Sequence, residues 1–265
     1  MQNLFLLYFI VLLINIFFVF GFFVRLVGVE TKRWSTSNSI FQIVNLFPRT
    51  IGIFQIPLIT LFTEYAINTN QIVSLQIYQG VILFNLIGVL IGFALLPFFL
   101  NSLKEIIDKI YYNYSFRFFF KKSSIKTIFS SFISGNFKSF FSGLPQLKIK
   151  NKNLFFYDLM ATFFLCSAFP ACAWAGYNVP DYRATIIALV SIIYGIASII
   201  TILLIDTKLS VVTDKTFHNQ FSLYEYKIVL FDCLKGKIIG TIFGIIAFPT
   251  LSSAIIYLVS KFLIK

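Results

Sequence analysis

Six apolar stretches, at about 4–24, 38–62, 80–103, 155–176, 184–205 and 238–260, each supply roughly the 20 residues that a helix needs to cross a bilayer. Lipid offers the backbone no hydrogen-bond partners, so a chain that crosses it this often must satisfy its N–H and C=O groups within helices. The expected fold is all-α: a polytopic membrane protein with about six transmembrane helices, forming a single membrane domain over residues 1–265. No length is left for a separate soluble domain. The first stretch has no basic leader and no small-residue cleavage site, and so reads as a retained helix.

Charge sets the expected topology. A net charge of +12 suits a nucleic-acid binder, but its placement does not. Of 22 Lys and Arg, three lie at the first connection (Arg25, Lys32, Arg33), ten between 104 and 154, and five between 206 and 237. These connections alternate with others that hold only Arg183. The positive-inside rule places the basic connections in the cytoplasm and both termini outside, and no nucleic acid is expected as a partner. The 104–154 connection is also rich in Phe, as in Phe116-Arg117-Phe118-Phe119-Phe120-Lys121-Lys122. It fits an ordinary cytoplasmic loop, or segments lying in the interface with lysines on anionic membrane lipids.

Arg49 remains, inside a span. With Asn38 to Thr63 helical, Asn38, Gln42, Asn45, Arg49, Gly52, Thr60 and Thr63 share one face. So polar a stripe is costly against lipid tails and should face other helices or a wet cavity. Pro48 and Pro57 remove two backbone donors and free the carbonyls of Val44 and Ile53. The Arg49 guanidinium is a planar fork suited to phosphate, while Gln42, Asn45 and Gln55 offer amides to sugar or peptide groups. A structural role for Arg49, pairing with freed carbonyls or a carboxylate, is the alternative.

Small residues recur at helix-packing spacing in Gly88 and Gly92, in Gly236, Gly240 and Gly244, and in Ala184, Ala188, Ser191, Gly195 and Ser198. Gly28 suits a turn in the first connection. No inverted repeat is visible in the sequence. Cys166, Cys172 and Cys233 lack zinc-site spacing, and Asp214 with His218 is at most half a metal site in a solvated loop, so no metal and no cofactor are expected. There is no phosphate-binding GxxxxGK[ST] loop, nucleophile elbow or HExxH motif, which points away from an enzyme. The ten carboxylates lie in loops or near span ends, so no proton relay is evident.

The run Arg25-Leu26-x-Gly28-Val29-x-Thr31-x-Arg33, followed by Ser37, Ser39, Phe41, Arg49-Thr50 and Gln55-x-Pro57-Leu58, resembles the N-terminal signature of the alternate lipid II flippase family, Amj. Pro180-x-Tyr182-Arg183-Ala184-Thr185 with Gly195 and Ala197, and Asp206-x-x-Leu209-Ser210-Val211-x-Thr213-Asp214, resemble its second half. Ile56 and the 104–154 loop depart from the pattern.

The resemblance implies a multi-pass protein of the bacterial plasma membrane. Such a protein moves lipid II, the undecaprenyl-diphosphate-linked peptidoglycan precursor, from the cytoplasmic to the outer leaflet for cell-wall synthesis. On that reading Arg25 and Arg33 receive the diphosphate, Arg49 carries it at midplane, Gln42, Asn45 and Gln55 contact the headgroup, and Arg183 meets it outside. A homodimer, or a groove that leaves the lipid tail outside, would each accommodate so large a headgroup. The alternative is a non-transporting scaffold or regulatory subunit that recruits partners through the 104–154 loop.

Overall fold

The computed structural model of the chain describes residues 2–113, 130–131 and 149–263, and its regular elements among these are all helical. The first apolar run forms α1 (Gln2–Glu30). The chain reverses at Lys32, which takes φ 54°, and enters α2 (Trp34–Gly52). Gly28 is not the turn residue: it sits inside α1, where an added Cβ would lie 2.5 Å from the Ser37 Cβ. Its missing side chain lets α2 close on α1.

The second apolar stretch is interrupted. After Gly52 the chain turns through Ile53 and Phe54 and restarts as α3 (Gln55–Asn68). The break falls between the two prolines. Pro48 is accommodated within α2, and Pro57 lies in the first turn of α3, where a helix leaves its N–H groups unpaired anyway. Next come α4 (Leu75–Asn113), α5 (Lys152–Asn178), a short turn at Pro180–Tyr182 and α6 (Arg183–Ile199). A π-helical segment, Ile200–Asp206, joins α6 to α7 (Thr207–Phe217), and α8 (Leu223–Leu263) completes the chain.

Among the described residues six helical stretches are long and apolar enough to cross a membrane, and the chain is a multi-pass membrane protein. The expected connection over 206–237 is mostly helix, because α7 and α8 extend into it and leave only a short turn around Asn219. Lys104–Asn113 likewise continues α4. Residues 114–129 and 132–148 lie outside the described residues, and with them the expectation for the Phe116–Lys122 run.

The structure reveals a repeat that the sequence hides. Each half has an unbroken helix (α1; α5), an interrupted one (α2–α3; α6–α7) and a long one (α4; α8), and in each the first helix packs on the other two. Glycines of the third helix lie on the backbone of the first: Gly88 and Gly92 against Leu12 and Ile16, Gly236 and Gly240 against Phe155 and Leu159. The interrupted helices end alike, with Asn70 and Asn219 at φ 51° and 58°, each followed by a Gln whose N–H donates back to the helix, to Ala66 and Lys215. Across the first of these turns the Thr63 and Tyr78 hydroxyls pair at 2.9 Å, and across the second Thr213 and Tyr226 pair at 2.8 Å. Three crossings per unit is an odd number, so the two units have opposite orientations, the inverted repeat found in many transporters.

Two of the expected packing faces are as the sequence suggests. The third is not: Ala184, Ala188, Ser191, Gly195 and Ser198 are exposed, and α6 instead buries Ile186, Val190 and Ala197. The apolar core divides along the helix axes. One cluster holds Val24, Leu103, Leu209 and Leu230 on the side where α1 ends, and the other holds Leu7, Ile82, Phe169 and Phe248 towards the opposite side.

Candidate functional site

Between the two clusters lies a cavity of about 660 Å³, walled by both three-helix units. Asn15, Phe18 and Arg25 of α1, the Gln42–Asn45–Arg49 face of α2, Gly52, Ile53, Gln55 and Ile56 around the helix break and Asn85 of α4 line one side. Asp158, Thr162 and Cys166 of α5, Tyr194 of α6, Thr201 and Asp206 of the π-helical segment and Lys237 of α8 line the other. Both helix interruptions open onto it, and the axial geometry explains why. Arg49 lies about 22 Å along the axis from Trp34, at 1.5 Å per residue, which places it deep in a layer about 30 Å thick. Irregular backbone is tolerated at such depth beside protein or a water-filled space.

Five of the seven residues proposed from sequence converge here: Arg25, Gln42, Asn45, Arg49 and Gln55. Arg33 and Arg183 do not line the cavity. Arg33 pairs with Asp108 and lies over the rings of Tyr111 and Tyr112, at 4.3 and 4.9 Å from their centroids. Arg183 meets Glu64 at 3.3 Å and so joins the start of α6 to α3.

Within the cavity the cations differ. Arg25 is buried, lies 4.3 Å from the Phe41 ring centroid and donates to Asp206 Oδ1 at 2.9 Å, so it ties α1 to the π-helical segment and packs on α2. Arg49 has no ion pair or hydrogen bond among the described residues, although it is exposed to the cavity. The structural alternative, in which its partner would be a freed carbonyl or a carboxylate, finds no such partner among those residues. Around it are donors and acceptors that can adapt to a ligand. Asn15 Nδ2 donates to Asn85 Oδ1 at 2.5 Å, and Asn45 lies against the bare backbone of Gly21.

Sequence reasoning missed Lys237 and Asp158. Both are buried, 6% and 3% exposed, and Lys237 Nζ is 3.4 Å from Asp158 Oδ1. Asp158 lies near the start of α5, as expected of the carboxylates, but α8 begins at Leu223 and carries Asp232 inside a helix rather than in a loop, and Lys237 with it. Lys237 had been assigned to a cytoplasmic loop by charge. The available signal was the Gly236–Gly240–Gly244 spacing, which requires helix on both sides of Lys237. No group of three or more potential metal ligands occurs among the described residues.

Chemically the cavity is cationic and amide-lined, with apolar walls. The helices α2 and α3 do not pack substantially on α6. A family model described as Amj, Alternate to MurJ, matches residues 7–259. No curated protein and no solved structure matches the chain.

Proposed function

The chain belongs to the Amj family, and from that premise and the cavity between its inverted units we propose that it is a flippase for lipid II. It would move the undecaprenyl-diphosphate-linked precursor from the cytoplasmic to the outer leaflet of the bacterial plasma membrane, serving peptidoglycan synthesis and cell shape. The observation that carries this reading is Arg49, a guanidinium without a partner among the described residues, in the middle of the apolar Trp34–Asn68 span and facing a cavity lined by Gln42, Asn45, Gln55 and Asn85. An intramembrane cation is expensive unless a ligand or pathway uses it, and a guanidinium grips phosphate through paired donors.

A cavity of about 660 Å³ suits the diphosphate and the first sugar. The remaining headgroup would extend from the mouth and the polyprenyl tail through the gap between α2 and α6 into lipid. The family description points to transport rather than hydrolysis. In the inverted repeat, rocking of one unit against the other would expose the cavity to each leaflet in turn.

Proteoliposomes holding the full chain and lipid II provide the test, with headgroup accessibility measured in each leaflet. Translocation should depend on the protein and fall at least about tenfold in Arg49→Ala, the equivalent of about 1.4 kcal/mol in the barrier, with partial recovery in Arg49→Lys. If the wild-type chain moves no lipid II beside an active control flippase, the reading is wrong and the scaffold alternative gains. An alanine variant as fast as wild type would remove Arg49 from the mechanism.

A further inference from the structure

The charged residues lining the cavity are Arg25, Arg49 and Lys237 against Asp158 and Asp206, a net formal charge of +1 with both carboxylates ionised. A diphosphate diester, the anion required by the function proposed above, carries two negative charges near neutral pH. An uncompensated charge in a site walled by apolar side chains is costly. One more positive charge, or one fewer negative, would make the loaded site neutral.

The geometry singles out Asp158 as the group that provides it. Asp206 is 40% exposed and held at 2.9 Å by the buried Arg25, so its carboxylate has both solvent and a cationic partner. Asp232 is fully buried but satisfied, accepting the backbone N–H groups of Lys150 and Asn151 at 3.0 and 2.9 Å and Lys235 Nζ at 3.0 Å. Asp158 is buried and left half-satisfied. Thr162 Oγ1 donates to its Oδ1 at 3.3 Å and Lys237 stands 3.4 Å from the same oxygen, while Oδ2 has no hydrogen-bond partner.

The groups facing Asp158 can be named from each side. On α8 they are Lys237 and the Cys233 thiol, on α5 Thr162, and across the cavity Arg25, Arg49, Asp206 and Tyr194. The Phe18 ring of α1 is 4.2 Å from Lys237 Nζ and holds the ammonium at the cavity wall.

We propose that Asp158 is a proton-binding site coupled to diphosphate loading. As the anion arrives, a hydronium ion from the aqueous phase gives one proton to Asp158 Oδ2: a hydronium O–H bond breaks, the carboxyl O–H bond forms, and neutral water is left. Lys237 Nζ, released from the neutral carboxyl, then moves to a phosphate oxygen. When the lipid leaves, the carboxyl returns its proton to water as hydronium. The loaded site is then neutral, which lowers the cost of carrying a dianion through the bilayer. Lys237 becomes a substrate-binding residue, and Asp158 the group that governs its availability.

The inference rests on the proposed substrate class, and the experiment separates the two. The full chain in nanodiscs is titrated with a fluorescent dialkyl diphosphate diester, whose own charge is constant from mildly acid to mildly alkaline pH. Wild-type Kd should rise with pH by up to about tenfold per unit, the limit for one linked proton. Asp158→Asn, neutral at every pH, should bind with a flat profile, and Lys237→Met should bind at least tenfold more weakly throughout. A flat wild-type profile, an Asp158→Asn profile as steep as wild type, or dependence on Na+ in place of pH would each overturn the proposal while leaving the diphosphate reading in place. Absence of binding at every pH would overturn the substrate class and the coupling with it. Should a variant fail to fold, the wild-type slope still decides, because a flat one is incompatible with coupling.

Discussion

Gly236 gives the sharpest test of how the two units are built. A Cβ added there would stand 2.5 Å from the Phe155 carbonyl oxygen, 3.1 Å from the Asp158 Cβ and 3.2 Å from the Leu159 nitrogen. Backbone atoms cannot rotate away, so in Gly236→Ala α8 must retreat from α5 by roughly half an ångström or more. Overpacking of this kind costs about 1–3 kcal/mol. Alanine also gains about 1 kcal/mol of helix propensity over glycine, which obscures the sign of the single variant. Gly195→Ala removes that ambiguity. It receives the same propensity gain in α6, yet nothing lies within 4 Å of its added Cβ. The difference between the two alanine variants therefore isolates the clash, and Gly236→Ala should be the less stable by about 1–3 kcal/mol. Reversible SDS-induced unfolding in bicelles measures both. Equal unfolding curves would refute the helix contact, and with it the claim that glycines join the first and third helices of each unit.

Two further predictions follow from residues that flank the cavity. Arg33→Ala should lower the unfolding midpoint, because it loses Asp108 and two aromatic faces, and should leave diphosphate affinity within about twofold, under about 0.5 kcal/mol; a tenfold loss of affinity, read in the same nanodisc titration, would place Arg33 in the site after all. Asp206→Asn should loosen the contact between the π-helical segment and α2 made through Arg25 and Phe41, so that a cysteine introduced at Gln42 reacts several-fold faster with a membrane-impermeant maleimide; unchanged labelling would show that this ion pair does not restrict access.

Hydropathy made the six spans legible because lipid imposes one rule on each of them independently. Helical periodicity made Gln42, Asn45 and Arg49 legible because all three lie on one helix and its polar face has one place to point. Lys237 and Asp158 were not legible in the same way. They meet across 79 positions of sequence, and neither helix alone signals that the other carries a charge at the same depth. Counting Lys237 as loop charge gave it the wrong environment, since it is buried inside α8. The small-residue face of α6 failed for a related reason: small side chains permit close approach, but they do not supply the approaching helix. The repeat was hidden because its correspondences are conformational, in two helix interruptions and two Asn residues with positive φ, and cover few identical residues.

Inversion also suggests which parts would move under the proposed function. The glycine contacts of α4 on α1 and of α8 on α5 bring backbone against backbone, so each of these helix pairs should behave as one body. Contact between α2–α3 and α6–α7 is sparse, and ion pairs join the two units at either end: Arg25 of α1 to Asp206 on the side where α1 ends, and Arg183 of α6 to Glu64 of α3 on the other. Arg183 and Glu64 are 29% and 38% exposed, and a pair so solvated contributes about 0–1 kcal/mol, so it can orient that end without resisting its opening. Arg25 is only 8% exposed, so parting it from Asp206 is the costlier step. Separation at the α1 end would admit a headgroup beside Asp158 and Lys237, and separation at the other would release it past Arg183. The interrupted helices are suited to this motion, since a helix already broken at Ile53–Phe54 or widened at Ile200–Asp206 can bend there without losing further backbone hydrogen bonds.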